Sequence, residues 1–177
     1  MMKRFLGFIV AILFNNFLLS QGTLTGNFRL NMDLYELDSS IATIGPNYTT
    51  NKNSANAWFQ LKYSDYKKGV EAAVRFDGNY NSILQNPPTP VSYYGIGNWY
   101  IKKKIDDLEV TAGYIYEQYG SGVALRTFEA RNLGIDNAIF GVKAQYDLSD
   151  NYRVRAIAGT QKFQLDFFES FVKVFSL

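Results

Sequence analysis

Residues 138–158 read Ala138-Ile139-Phe140-Gly141-Val142-Lys143-Ala144-Gln145-Tyr146-Asp147-Leu148-Ser149-Asp150-Asn151-Tyr152-Arg153-Val154-Arg155-Ala156-Ile157-Ala158. Two runs of period two flank a short polar stretch. Ala138, Phe140, Val142, Ala144 and Tyr146 fall opposite Ile139, Gly141, Lys143 and Gln145. After Leu148-Ser149-Asp150, Tyr152, Val154, Ala156 and Ala158 fall opposite Arg153, Arg155, Ile157 and Gly159. Alternation marks strands with two unlike faces, and Ser and Asp between them supply turn chemistry. The stretch therefore predicts an antiparallel hairpin with one uncharged face.

Working outward, the same pattern recurs. Leu24, Gly26, Phe28, Leu30, Met32 and Leu34 oppose Thr25, Asn27, Arg29, Asn31 and Asp33. Ala55, Ala57, Phe59, Leu61 and Tyr63 oppose Asn56, Trp58, Gln60 and Lys62, and Val70, Ala72, Val74 and Phe76 oppose Glu71, Ala73, Arg75 and Asp77. Leu108, Val110, Ala112, Tyr114 and Tyr116 oppose Glu109, Thr111, Gly113, Ile115 and Glu117. Between Ser92 and Lys104 the alternation is ragged. It places Tyr94, Ile96, Asn98 and Tyr100 against Tyr93, Gly95, Gly97, Trp99 and Lys103. Seven such segments predict an all-β chain.

The links between them alternate in length. Residues 37–53, 81–91 and 119–136 are long; Asp65 to Lys68, Ile105-Asp106 and Leu148 to Asp150 are short. All four prolines lie in long links, as their missing N–H requires. Short turns at one end and long loops at the other are the habit of outer-membrane barrels. The apolar face, read this way, carries no charge, which suits hydrocarbon, where a central Lys or Arg costs roughly 2–4 kcal/mol. Tyr63, Tyr146 and Tyr152 at one rim and Tyr94, Tyr114 and Tyr116 at the other suggest two aromatic girdles. The expected fold is an antiparallel up-and-down transmembrane β-barrel. The alternative is a soluble exported β-sandwich or small barrel that binds a ligand or protein partner.

At 177 residues the chain has room for one domain. It has no Cys and no His, which excludes disulfides, thiolate zinc sites, Ser-His-Asp catalysis and HExxH metalloproteases. Lys3 and Arg4, an apolar run from Phe5 to Phe14 and Ser20 before Gln21 form a secretory signal over residues 1–20. Without Lys3 and Arg4, the 18 basic residues fall to 16, equal to the 16 acidic ones. A neutral mature chain gives no electrostatic footprint for nucleic acid.

Closure is the difficulty. Seven strands end on the wrong side for a barrel of even strand number, and after Gly159 the pattern decays. Residues 21–164 are therefore read as the front of an incomplete barrel of about seven to eight strands, and residues 165–177 as an irregular or truncated tail. Phe171 to Leu177 is a weak eighth candidate.

The segment Tyr116 to Gly141 is less generic. Tyr116-Glu117-Gln118-Tyr119-Gly120-Ser121-Gly122, then Leu125-Arg126, Leu133-Gly134-Ile135-Asp136-Asn137 and Gly141 resemble a family of exported Bacteroidota proteins of unknown function; Gly26-Asn27-Phe28-Arg29 also fits it. The resemblance implies a longer β-barrel protein and an envelope location, and no chemistry. On its own terms, Gly120 and Gly122 allow a sharp turn off the strand. Glu117, Arg126, Glu129, Arg131 and Asp136 are the candidate residues of either an inward-folding loop that constricts the lumen, with Arg75, Arg155 and Glu117 as wall partners, or an external loop carrying a solvated mixture of charges.

No catalytic, cofactor-binding or metal-ligating set stands out. Gly95-Ile96-Gly97 precedes no helix, so it is not a dinucleotide loop. Glu109 and Glu117, eight residues apart on a strand, are expected too far apart to act on one bond. Trp58 and Trp99 are placed on the polar face, as lumen packing or as a sugar platform. The expected function is a non-enzymatic outer-membrane barrel, a passive channel for small polar solutes or an envelope scaffold. No cofactor is implied. The partners implied are outer-membrane lipid and the barrel-assembly machinery.

Overall fold

The computed structural model describes residues 22–36, 40, 52–82, 90–163 and 166–177. The expected signal segment and most of two long links lie outside these residues. The main sheet contains eight strands: β1 (Thr23–Leu34), β2 (Asn53–Asp65), β3 (Val70–Ser82), β4 (Val91–Ile105), β5 (Leu108–Ile115), β10 (Ile139–Ser149), β11 (Tyr152–Phe163) and β12 (Asp166–Ser176). Between β5 and β10 lie two small hairpins, β6 (Gln118–Tyr119) with β7 (Leu125–Arg126) and β8 (Glu129–Ala130) with β9 (Ile135–Asp136), the second spanned by a short 3-10 turn at Arg131–Leu133. The eight strands run in sequence order, each antiparallel to the next. Among the described residues, no helix is long and apolar enough to cross a membrane.

Among the described residues no closed ring is found: β1 and β12 stand at the two ends of one antiparallel sheet. One face of the sheet carries the folded segment 116–138. The interior of a barrel of about eight strands has room for side chains or one small ligand.

Residues 165–177, expected as an irregular tail, mostly form strand β12, so that expectation is corrected. Val172 and Val174 pair with Gly159 and Ile157 and pack against a cluster of Ile115, Tyr119, Ile139 and Ile157. That burial holds the strand despite the absent turn signal. A register shift between Thr160 and Lys162 accounts for the blurred pattern in the sequence there.

The ragged alternation of β4 also has a cause. Arg75 pairs with Asn98 and Phe76 with Ile96, so Gly97 is an extra residue opposite β3. Such a bulge shifts the phase of the strand by one. Tyr94 and Ile96 share the apolar face with Trp99 and Ile101, whereas Asn98 and Tyr100 lie on the polar face. The single-face assignment made from alternation is therefore wrong for half the strand. Trp99 sits on the apolar face, 5.6 Å from Phe140 in a ring cluster with Tyr114 and Phe167. Tyr116, expected in a girdle, follows the end of β5 and turns inward to Asn98 and Asp136.

Burial is inverted relative to a water-soluble sheet. Phe28 is 64% exposed and Met32 69%, whereas Arg75 is 3% exposed and Lys162 2%. Pairing places two lysines on the apolar face as well, Lys103 opposite Val70 near a short turn and Lys173 opposite Ala158 on the end strand.

Gly113, Gly141 and Gly159 form one row across β5, β10 and β11. A Cβ at Gly141 would overlap the Ala158 carbonyl and come within 2.6 Å of the Gly159 Cα. Gly26 on the apolar face has its nearest neighbour at 3.5 Å. In urea unfolding from detergent micelles, Gly141→Ala should lose about 1–3 kcal/mol from overpacking, and Gly26→Ala should change stability by less than about 0.5 kcal/mol.

Candidate functional site

The polar face is assembled row by row. Asn27, Gln60, Arg75 and Asn98 lie in one row; Arg29, Trp58, Asp77 and Gly95 in the next; Asn31, Asn56, Asn79 and Tyr93 in a third. Over this wall sits the segment between β5 and β10. Its anchor is Glu129 on β8, whose carboxylate accepts two hydrogen bonds from the Arg75 guanidinium at 2.6 and 2.9 Å. Arg75 also donates to both oxygens of Asp77, at 2.7 and 2.8 Å. A guanidinium stays charged at any accessible pH, so burying it requires such carboxylates.

The remaining expected residues distribute unevenly. Arg131 is 3.1 Å from Glu129 and lies over the Trp58 ring, 4.3 Å from its centroid. Asp136 accepts from Lys162 Nζ at 2.5 Å and from the Tyr116 hydroxyl at 2.9 Å. Glu117 pairs with Lys143 at 2.8 Å. Gly120 and Gly122 have φ of +57° and +87°, so the β6–β7 turn uses the conformational freedom assigned to them. Arg126 does not join the wall and lies over Phe128 instead. Arg155, expected as an ionic partner, sits beneath the Tyr119 ring rather than beside a carboxylate.

Several participants escaped the sequence. Thr127 is a hub: its backbone N–H donates to the Glu117 carbonyl at 2.8 Å, while its Oγ1 accepts from the Glu117 N–H at 2.7 Å. Lys162 donates to the Gly97 carbonyl as well as to Asp136, which joins β11 to the bulge of β4. The decayed pattern around Lys162 concealed it, and nothing in the spacing of Thr127 marks it. Glu109 and Glu117 also prove closer than strand spacing allows. Glu117 follows the end of β5, and Lys143 Nζ lies 3.8 Å from Glu109 and 2.8 Å from Glu117. With an ammonium between them, the two carboxylates form an ion-pair ladder, which Lys102 extends at 3.9 Å from Glu109.

Among the described residues, no group of three acidic, His or Cys side chains is arranged to hold a metal ion. What the arrangement offers is a wall of amides and paired charges with a folded segment clamped across it. Between that segment and β1–β3 lies a cleft of about 470 Å³ lined by Asn31, Asp33, Asn56, Trp58, Asn79 and Arg131 among others.

Comparison with family-level sequence patterns matches residues 1–175 to a family of unknown function, DUF6029. Neither the comparison with curated proteins nor that with solved structures gives a match.

Arg75→Ala should strand two half-buried carboxylates and release the segment, costing about 3–5 kcal/mol. Limited proteolysis should then cut within residues 116–138, and Arg75→Ala combined with Glu129→Ala should be less damaging than the sum of the single changes. Burial opposes the charge of Glu129, but hydrogen bonds from Arg75 and Arg131 outweigh it and hold the carboxyl below the ordinary glutamate value. A depressed pKa contributes stability above the unfolded value and loses it as pH falls through the folded one. Protection of the segment should therefore persist down to about pH 4.3 and fail only below it.

Proposed function

The chain belongs to DUF6029, a family of unknown function, and we propose that it forms the wall of an outer-membrane β-barrel of the Bacteroidota, without enzymatic activity, that gives small polar solutes a passive route. The observation that carries this reading is the inversion of burial among the described residues: large apolar side chains such as Phe28 and Met32 are exposed, while Arg75 and Lys162 are buried. Hydrocarbon is the environment in which that arrangement is stable, because lipid covers the apolar face and the lumen keeps the polar one hydrated. Seven of the eight strands have 11 to 15 residues, enough for a tilted crossing, which takes about 9–11.

Unpaired strand edges are costly in hydrocarbon, so β1 and β12 must find partner strands. A ring of more than about eight strands would leave room for the segment 116–138 inside. Clamped by Arg75–Glu129 and Lys162–Asp136, that segment narrows the lumen toward the long-loop end. A narrowed conduit suits small solutes. A scaffold for other envelope proteins would use the same wall with no conductance.

Carbonate extraction of membranes from the exporting cell tests the location, and the protein should remain in the pellet. Phe59→Lys, on the apolar face, should weaken insertion by about 2–4 kcal/mol and shift the protein to the soluble or degraded fraction. Recovery of wild-type protein in the carbonate supernatant would favour the soluble exported reading. In planar bilayers, stable small-conductance events that grow in Glu129→Ala support a narrowed route. Insertion without conductance in either form supports the scaffold.

A further inference from the structure

Resting on the reading of the polar face as the wall of a solute route, we propose that the cleft between β1–β3 and the Arg131–Leu133 turn binds neutral saccharides. Three carboxamides, Asn31, Asn56 and Asn79, stand side by side in one row across three strands. Each carboxamide both donates and accepts, as a sugar hydroxyl does, so a row of them matches a row of hydroxyls without a charge penalty. Asn56 Nδ2 donates to Asn79 Oδ1 at 2.6 Å, which fixes both amides before any solute arrives. Pre-set donors and acceptors reduce the ordering cost of binding.

The indole of Trp58 lines the same cleft, one row below the amides. Arg131 covers one face of that ring and is itself neutralised by Glu129 at 3.1 Å. An aromatic wall beside amides suits a sugar, whose C–H face is apolar and whose rim is hydroxylated. The volume, about 470 Å³, lies within the range of roughly 300–1,000 Å³ typical of small-molecule sites.

Charge excludes the obvious competitors. The charged residues lining the cleft are Arg29, Arg131, which is paired with Glu129, and Asp33, which accepts from the Ser54 hydroxyl at 3.1 Å. Phosphate recognition calls for clustered unpaired guanidinium or ammonium groups, and cation selection for rings of carboxylates. Neither is built here.

The test uses the full chain in detergent micelles with Trp99→Phe, which leaves Trp58 as the only tryptophan. Maltotriose, cellotriose and diacetylchitobiose are titrated, with galacturonate as the anionic control. A saturable change in Trp58 emission with at least one neutral sugar is expected, weakened about tenfold in Asn56→Ala and in Asn31→Ala. Two variants on different strands guard against a local folding defect. No change with any neutral sugar, a response to galacturonate alone, or unweakened binding in both Asn variants would overturn the proposal. Carbonate extraction of the same Trp99→Phe protein separates the two readings. Retention in the membrane without sugar binding removes the saccharide site and leaves the barrel wall standing. Sugar binding by protein that washes off removes the membrane and leaves the site.

Discussion

A guanidinium that is almost entirely buried has to be met by carboxylate, and Arg75 draws the rest of the polar face around that requirement. Asp77 on the same strand supplies one partner and Glu129, 54 residues later, supplies the other. Glu129 brings Arg131 with it, and Arg131 can then stack on Trp58. The β8–β9 hairpin places Asp136 opposite Glu129, within reach of Lys162 from the far side of the sheet. A neutral residue at position 75 would remove one of the two ionic clamps and leave Lys162–Asp136 as the other. Net stabilisation from such pairs is small, because desolvation cancels much of the attraction, but removal of one partner is costly. The network therefore specifies position more than it adds stability.

The sheet was legible in the sequence because a two-faced strand must alternate. The places of β1, β2, β3, β5, β10 and β11 follow from it, while several ends differ: β3 runs on to Ser82, β11 to Phe163, and β5 stops at Ile115. What alternation cannot encode is a change of phase. Gly97 inserts one residue into β4, and every side chain beyond it changes face, so Trp99 and Tyr100 exchange the places that the pattern gives them. The shift near Thr160 hides β12 in the same way. In both places the ragged pattern was the trace of a bulge.

The candidate site was legible in part. Charged residues in a Gly-containing link, opposite strands with buried-face charges, pointed to Glu129, Arg131 and Asp136 as inward-facing. Their partners were harder to name. Arg126 has the same charge and nearly the same position as Arg131, yet it remains on the outer side of its hairpin over Phe128. Only the three-dimensional course of the turn distinguishes them. Thr127 acts through backbone groups brought together by that turn, and no spacing rule reports such contacts.

The two clamps of the inserted segment differ in their direction along the chain, and this bears on assembly. Glu129 looks back to β3, whereas Asp136 looks forward 26 residues to Lys162. In a chain delivered from its N-terminus, the first clamp can close as soon as the segment emerges, on a wall already made. The second waits for β11. The segment is thus tied to β3 on one side and to β11 on the other, across the span of the sheet. Lys162, joined at once to Asp136 and to the backbone of Gly97, ties the inserted segment and the bulge of β4 to β11 through a single ammonium.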